Sequence, residues 1–231
     1  MMVWLTLWRL RSRNVKVRRR AVSKLARSRD RRVAGVLAQA LSDDPDWNVR
    51  WYAARGLEHF KQADAIAALN AAVSDTHEGV RAQAVKALAK LRDVRAIDGL
   101  ARATADPNED VCLESVRALA VLGDARGIDG LITALTRANN LIRAEAEKAL
   151  LAIGDAGVVD RLVRQLSDPR KHARLAAMWA LSSFCTVRGP NLVASTLRDS
   201  AQDLLVSRLD NSDAQVRRAA ARVLEQIRLE S

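Results

Sequence analysis

The chain contains few of the residues that build tight turns, disulfide frameworks or metal sites. Only 3% of its 231 residues are aromatic, and it has four prolines, ten glycines, two cysteines and three histidines. So few prolines and glycines exclude an all-β fold with many tight turns. Cys112 and Cys185 are too far apart in sequence for a zinc knuckle or a disulfide framework. We therefore expect an all-α protein of the reducing cytoplasm, without a metal or another cofactor.

Long apolar runs and catalytic motifs are also missing. No window approaches the ~20 apolar residues of a membrane span. The charges follow the apolar residues 1–8 rather than precede them, unlike in a secretion signal. His-Glu-x-x-His, Gly-x-Ser-x-Gly and glycine-rich phosphate loops are absent from the sequence. The sequence thus indicates a binding protein rather than an enzyme, although catalysis without an obvious motif stays open.

Positive charge is concentrated at one end. The formal charge of +11 arises within residues 1–32, because the remainder contains 26 basic and 26 acidic residues. This basic end includes Arg9, Arg11, Arg13, Arg18, Arg19 and Arg20. Such a block is typical of a surface that binds phosphate or an acidic protein. With Trp4 and Trp8 it could also contact an anionic membrane, but we favour an end cap for these apolar residues.

One phrase recurs seven times along the chain. Its first core position is occupied by Val17, Val49, Val80, Val111, Ile142, Ala173 and Val216. The steps between these positions are 32, 31, 31, 31, 31 and 43 residues, and a period this steady indicates stacked repeats. Within the phrase, apolar residues recur at the spacing of an amphipathic helix.

The other half of each repeat shows the same helical spacing. Asp93, Asp124 and Asp155 precede these segments and are expected to cap them. Seven helical hairpins result, from helices near 2–11 and 15–28 to a last pair near 198–209 and 214–229. Twelve extra residues, about 185–196, are expected to form a loop. Because each hairpin buries its apolar stripe only by stacking, we expect a single domain over residues 1–231.

The repeat resembles the HEAT-repeat superfamily, in the short variety known from phycobilin lyases. VRAQAVKAL from Val80 and IRAEAEKALLAIGDAG from Ile142 show the resemblance most clearly, and it covers nearly the whole chain. It implies a right-handed α-solenoid of about seven hairpins whose second helices line the concave face. Enzymes, adaptors and nucleic-acid readers share this repeat, so the resemblance is specific for fold and not for function.

The resemblance also implies a structural ladder between repeats. Its arginine directly follows the first core position of a repeat, and its aspartate lies five or six residues before a first core position. The arginines are Arg18, Arg50, Arg81, Arg143, Arg174 and Arg217, and the expected aspartates are Asp43, Asp75, Asp168 and Asp210. A bidentate pair of this kind suits the joining of one repeat to the next. Cys112 and Arg137 interrupt the pattern.

A second column of residues lies six positions after the first core position. It consists of Ser23, Arg55, Lys86, Arg117, Lys148, Trp179 and Arg222, and five of these seven residues are basic. The position opposes the apolar stripe, so the column should face the concave groove. The alternative is an ordinary solvated face, in which Glu114 and Glu145 pair with the basic residues that follow them.

Aromatic residues fall on the same side of the second helices. Trp51 and Tyr52 lie near the N-terminal end of the groove, and Trp179 lies in the column itself. Accessible aromatics are frequent binding anchors. Trp47, in contrast, could serve as a staple under the turn at Asp44-Pro45.

These observations support a non-enzymatic, monomeric scaffold that binds an acidic protein or peptide in its groove. The predicted binding residues are Arg55, Lys86, Arg117, Lys148, Arg222, Trp51, Tyr52 and Trp179. Two alternatives stay open at this stage. One is a nucleic-acid-binding protein that resembles HEAT-like DNA glycosylases, and the other is a protein that resembles phycobilin lyases.

Overall fold

The computed structural model describes residues 9–154, 156–189, 205–207 and 214–228 of the chain. These residues form helices and their connections, and no strand occurs among them. The longer α-helices are α1 (Val15–Leu25), α2 (Ala34–Asp43), α3 (Trp47–Leu57), α4 (Ala63–Ala72), α5 (Glu78–Leu91), α6 (Ile97–Ala103), α7 (Glu109–Leu122), α8 (Ile128–Leu135), α9 (Asn140–Ile153), α10 (Ala156–Gln165), α11 (Lys171–Arg188) and α12 (Ala214–Arg228). The prediction of an all-α repeat fold is confirmed.

The chain divides into two compact units, and the first comprises residues 1–122. In this unit α1, α3, α5 and α7 pack side by side in one layer, while α2, α4 and α6 form a second layer against them. The first core positions Val49, Val80 and Val111 are at most 2% exposed. Each hairpin therefore contributes one helix to each layer, as the period of the sequence predicts.

The second unit comprises residues 123–231. Here α8 packs on α9 and on α10, α10 packs on α11, and α12 lies against α11. The first core positions Ile142, Ala173 and Val216 are fully buried. The same register thus places the same positions in the core of both units.

Aspartate caps begin the first helix of two hairpins. The carboxylates of Asp93 and Asp124 accept hydrogen bonds at 3.0 Å from the backbone N–H groups of Arg95 and Arg126. Each cap starts a short 3₁₀ turn, Val94–Ala96 or Ala125–Gly127, which leads directly into α6 or α8. The predicted capping role is confirmed for these two residues, and Asp155 lies outside the described residues.

We expect the stability of the protein to fall at acidic pH, because its capping carboxyls are hydrogen-bonded to arginines. The side chains of Arg95 and Arg126 lower the pKa of Asp93 and of Asp124 to about 2. Since unfolded aspartate titrates near pH ~3.9, this stabilisation is complete above about pH 4 and is lost as the pH falls toward about 2. Urea unfolding at several pH values checks this. The variant Asp93→Asn/Asp124→Asn should lose less stability on acidification, and an unchanged pH profile would contradict the assignment.

The structure changes one expected helix boundary and leaves two expected helices largely undescribed. The loop expected from Cys185 begins later, because α11 continues to Arg188 and buries Phe184 and Cys185. Two expected helices, near 2–11 and 198–209, lie largely outside the described residues. Trp4 and Trp8 lie outside them as well. Within the described ranges, no helix has the length and apolar character that a membrane crossing requires.

Candidate binding surface

Three arginine–aspartate pairs join consecutive hairpins of the first unit. In each pair, Nε and Nη2 of the arginine donate to both carboxylate oxygens of the following hairpin, and Nη1 donates to backbone carbonyls of its own hairpin. The pairs are Arg18–Asp44 at 2.8 Å, Arg50–Asp75 at 2.7 Å and Arg81–Asp106 at 2.6 Å. These bidentate contacts confirm the ladder role for the three arginines.

The ladder aspartates differ in part from the predicted set. The partner of Arg18 is Asp44 and not Asp43, and Asp106 is a rung that the sequence analysis missed. Asp43 is the last residue of α2 and is exposed, whereas Asp44 has left the helix with extended backbone and is directed toward Arg18. The aspartate therefore stands five residues before the first core position in each rung.

The rung at Asp75 shows how the pairs are balanced electrostatically. Burial raises the pKa of the Asp75 carboxyl, but hydrogen bonds from Arg50 and from the backbone N–H of His77 more than offset this effect. Its pKa consequently lies below the ordinary value. The same contact raises the pKa of Arg50, so both partners stay charged.

The second unit departs from this ladder. Nη1 of Arg143 donates to the carbonyls of Arg137 and Ala138, which belong to its own hairpin. Nη1 of Arg174 likewise donates to the carbonyls of Asp168 and Pro169, and its buried Nε makes no hydrogen bond within the described part of the chain. Asp168, an expected rung, binds Arg170 at 2.9 Å instead. Asp210 lies outside the described residues, and Cys112 donates its thiol to the carbonyl of Thr104.

The column of predicted binding residues is exposed in both units. The first unit presents Arg55, Lys86 and Arg117 on α3, α5 and α7, and the second presents Lys148, Trp179 and Arg222 on α9, α11 and α12. The side chains opposite them on the same helices are buried. Trp179 is 64% exposed, which is unusual for so large an apolar residue. We refer to these six residues as the basic column.

An aromatic cluster lies beside the basic column of the first unit. It consists of Trp47, Trp51, Tyr52 and His77. The Trp47 and His77 rings stack with centroids 3.8 Å apart, and Tyr52 meets Trp51 edge-on at 4.9 Å. The guanidinium carbon of Arg55 lies 5.6 Å from the Trp51 ring centroid. One column cation is therefore already held over an aromatic face.

Sequence reasoning missed His77. Its Nδ1 accepts a hydrogen bond from the backbone N–H of Gly79 at 3.1 Å, so the ring caps α5 while it stacks on Trp47 of the preceding hairpin. Asp46 and Asn139 cap α3 and α9 from the same repeat position, three residues before the first core position. That register, rather than the residue type, was the signal that could have identified the cap.

The basic end separates into paired and exposed residues. Arg18 belongs to the ladder, and Nη2 of Arg19 lies 2.6 Å from Oδ2 of Asp46. Arg9, Arg11, Arg13 and Arg20 are exposed. Arg18 and Arg19 thus hold hairpins together, and the charges of Arg9, Arg11, Arg13 and Arg20 stay accessible to a partner.

The second unit contains a cavity of about 380 Å³ between α8 and α10. Arg161, Arg164 and Arg170 line it, and they are paired with Asp129, Asp160 and Asp168. These pairs neutralise the arginines, so the cavity has little attraction for an anion. In the part of the chain that the structure describes, no cluster of three histidine, cysteine or carboxylate side chains could hold a metal ion.

The chain is similar to several solved structures. A complex of CpcE and CpcF of phycocyanin lyase from Nostoc sp. PCC7120 has 19% sequence identity and a TM-score of 0.53, over 98% of this chain and 95% of that chain. An engineered protein has 23% identity and a TM-score of 0.48, over 98% of this chain and 68% of that one. A designed armadillo repeat protein in complex with the peptide (KR)4 has 19% identity and a TM-score of 0.44, over 98% and 100%.

At 19% identity and a TM-score of 0.53, the CpcE–CpcF structure supports the fold and not the activity. No curated protein sequence matches the chain. The family profile of HEAT repeats, in contrast, matches residues 34–120 and 128–204, which together make up most of the sequence. The chain therefore belongs to the HEAT-repeat family.

Proposed function

We propose that this HEAT-repeat protein is a binding scaffold whose basic column holds an acidic segment of a partner protein. The observation that carries the proposal is the exposure of the column. Five cations and one tryptophan recur at the same repeat position, and all six are exposed. Cations that recur at one repeat position and are exposed in each unit are best explained by attraction to a partner of opposite charge.

The aromatic cluster defines the chemistry of that partner more closely. Trp51 and Tyr52 are half-buried, so their rings are held in place while part of each side chain stays accessible. Trp and Tyr in this condition supply apolar contact area at a low entropic cost. The partner segment that fits best therefore combines carboxylates, for the basic column, with at least one apolar side chain, for Trp51 and Tyr52.

The composition of the chain agrees with a cytoplasmic setting for this scaffold. Cys112 and Cys185 are both buried, and neither forms a disulfide. We propose a monomer of the cytoplasm that acts without catalysis. The DNA-glycosylase-like and phycobilin-lyase-like alternatives stay hypotheses.

We expect that the change of Arg55, Lys86, Arg117 and Lys148 to Gln weakens binding of an acidic peptide. The probe is a fluorescein-labelled peptide of interspersed glutamate and leucine, followed by fluorescence anisotropy. Exposed charge pairs contribute about 0.2–1 kcal/mol each, so the loss of four should lower affinity on the order of tenfold. The affinity for the peptide should also depend less steeply on the salt concentration. The melting temperature should stay near that of the wild type, because the positions are exposed.

The control removes the same charge from another surface. Arg29, Arg31, Lys61 and Arg92 are exposed cations in the turns after α1, α3 and α5, and their change to Gln should leave peptide binding almost unchanged. The proposal is wrong if the column variant binds the peptide as the wild type does, or if the control variant loses binding instead. A different result would favour the nucleic-acid alternative over an acidic protein partner: the wild type binds duplex DNA but no acidic peptide, and the column variant no longer binds the DNA.

A further inference from the structure

The basic column has no cation on α1, although α1 lies in the same layer as α3 and α5. On α1 the repeat position of the column is occupied by Ser23, which is half-buried. Lys16 and Arg20 stand seven and three residues before Ser23. At ~100° per residue they lie about 20° and about 60° from it around the helix, so the three residues share one face of α1. Lys16 and Arg20 are exposed, and they form no ion pair within the described part of the chain.

The aromatic pair Trp51–Tyr52 lies between α1 and α5. Nη2 of Arg19 on α1 lies 2.6 Å from Oδ2 of Asp46, the N-cap of α3. The hydrogen bond with Asp46 raises the pKa of Arg19, and the nearby Tyr52 side chain contributes to the same shift, so Tyr52 lies on the α1 side of α3. Trp51 lies on the other side, because its Cδ1 would be 3.9 Å from a Cβ built on Gly79 of α5. The two rings together therefore reach from α1 to α5.

The surroundings of the aromatic pair are positively charged. Neither α1 nor α3 contains an acidic residue. Of the carboxylates that flank α3, Asp46 is bound by α1, and Glu58 lies 2.9 Å from Nζ of Lys90 on α5. Arg55 lies over the Trp51 ring, and Lys86 is exposed on α5. The aromatic pair therefore has exposed cations on both sides, those of α1 on one and those of α3 and α5 on the other.

This arrangement determines the order of residues in the partner. We propose that α1 forms part of the binding surface and that the partner segment is acidic on both sides of one apolar residue. The apolar side chain lies on the aromatic pair. One group of carboxylates lies over the cations of α1, and the other lies over those of α3 and α5. The inference rests on the proposed function, because it specifies the segment that the same surface binds.

The distance between the helices sets the length of this segment. Packed helices are about 8–10 Å apart, so α1 and α5, which flank α3, are about 16–20 Å apart. An extended peptide advances ~3.3 Å per residue and crosses that distance in about six residues, so the carboxylates should stand about three residues before and about three residues after the apolar residue. A segment that is acidic on one side only would use half of the surface.

The test compares two fluorescein-labelled peptides by fluorescence anisotropy. The two-sided peptide has one leucine with three glutamates before it and three after it, and in the one-sided peptide the glutamates after the leucine are serines. The α1 variant, Lys16→Gln/Arg20→Gln, should bind the two-sided peptide about fivefold more weakly than the wild type does, because two exposed charge pairs are lost. It should bind the one-sided peptide almost as the wild type does, because those glutamates can lie over Arg55 and Lys86. Its melting temperature should stay near that of the wild type, because both positions are exposed.

The matched control is Arg29→Gln/Arg31→Gln, which removes the same charge from the turn after α1 and should leave both affinities unchanged. The column variant should bind the two-sided peptide more weakly, and this result reports on the proposed function separately. The inference alone is overturned if the column variant is weakened and the α1 variant binds the two-sided peptide as the wild type does. Equal weakening of both peptides by the α1 variant also overturns it, since α1 would then attract any anion. If the wild type binds neither peptide, the proposed function fails and the inference fails with it.

Discussion

Replacement of Arg81 by Gln is expected to destabilise the protein by about 3 kcal/mol, because it leaves a buried carboxylate without its charge partner. The side chain of Asp106 is only 3% exposed, and Nε and Nη2 of Arg81 donate to both of its oxygens. The hydrogen bond from the backbone N–H of Asn108 does not replace the positive charge that the change removes. Urea unfolding followed by circular dichroism measures the loss.

A double-mutant cycle separates the pair from its surroundings. Asp106→Asn alone should also destabilise, and Arg81→Gln/Asp106→Asn should cost less than the sum of the two single changes, by about 1 kcal/mol or more. The control is Arg95→Gln, which breaks a bidentate pair with Asp93 in which the arginine is 49% exposed. That change should shift the unfolding midpoint little. Equal shifts for Arg81→Gln and Arg95→Gln would contradict a structural ladder.

Gly56→Ala is expected to destabilise the protein by about 1–3 kcal/mol, although alanine is the better helix former. Gly56 is a buried residue of α3. A Cβ built on it would lie 2.7 Å from Cα of Ala26 and 2.8 Å from Cδ1 of Leu37. The backbone at Ala26 cannot yield as the end of a flexible side chain would, so α1 and α3 must move apart to accept the methyl group.

Gly35 provides the matched control. It lies in the first turn of α2, it is exposed, and a Cβ built on it meets no atom within 4 Å. Gly35→Ala should therefore stabilise the protein by about 0.5 kcal/mol through helix propensity alone. Thermal and urea unfolding of the two variants should give shifts of opposite sign. If Gly56→Ala also stabilised, the close approach of α1 and α3 would be wrong.

The period of the sequence was sufficient to predict the hairpins and their cores. Val49, Val80 and Val111 were assigned to one core position from spacing alone, and all three are buried. The same register predicted that Arg55, Lys86 and Lys148 would be exposed, and they are. Helical periodicity is a local property, and the repetition of one phrase averages out its irregularities. The sequence by itself therefore determined the all-α repeat fold and the buried face of the described helices from α3 onward.

Contacts between hairpins were decided by the tertiary structure. Asp43 and Asp44 are equivalent candidates in the sequence, but only Asp44 has the extended backbone that directs its carboxylate to Arg18. His77 stacks on Trp47, thirty residues earlier, because the packing of α3 against α5 brings the two helix starts together. At Gly56 the repeat pattern favours alanine, as at Ala87, and the approach of Ala26 forbids it. These outcomes depend on distances between atoms that are remote in the chain, and residue spacing does not contain those distances.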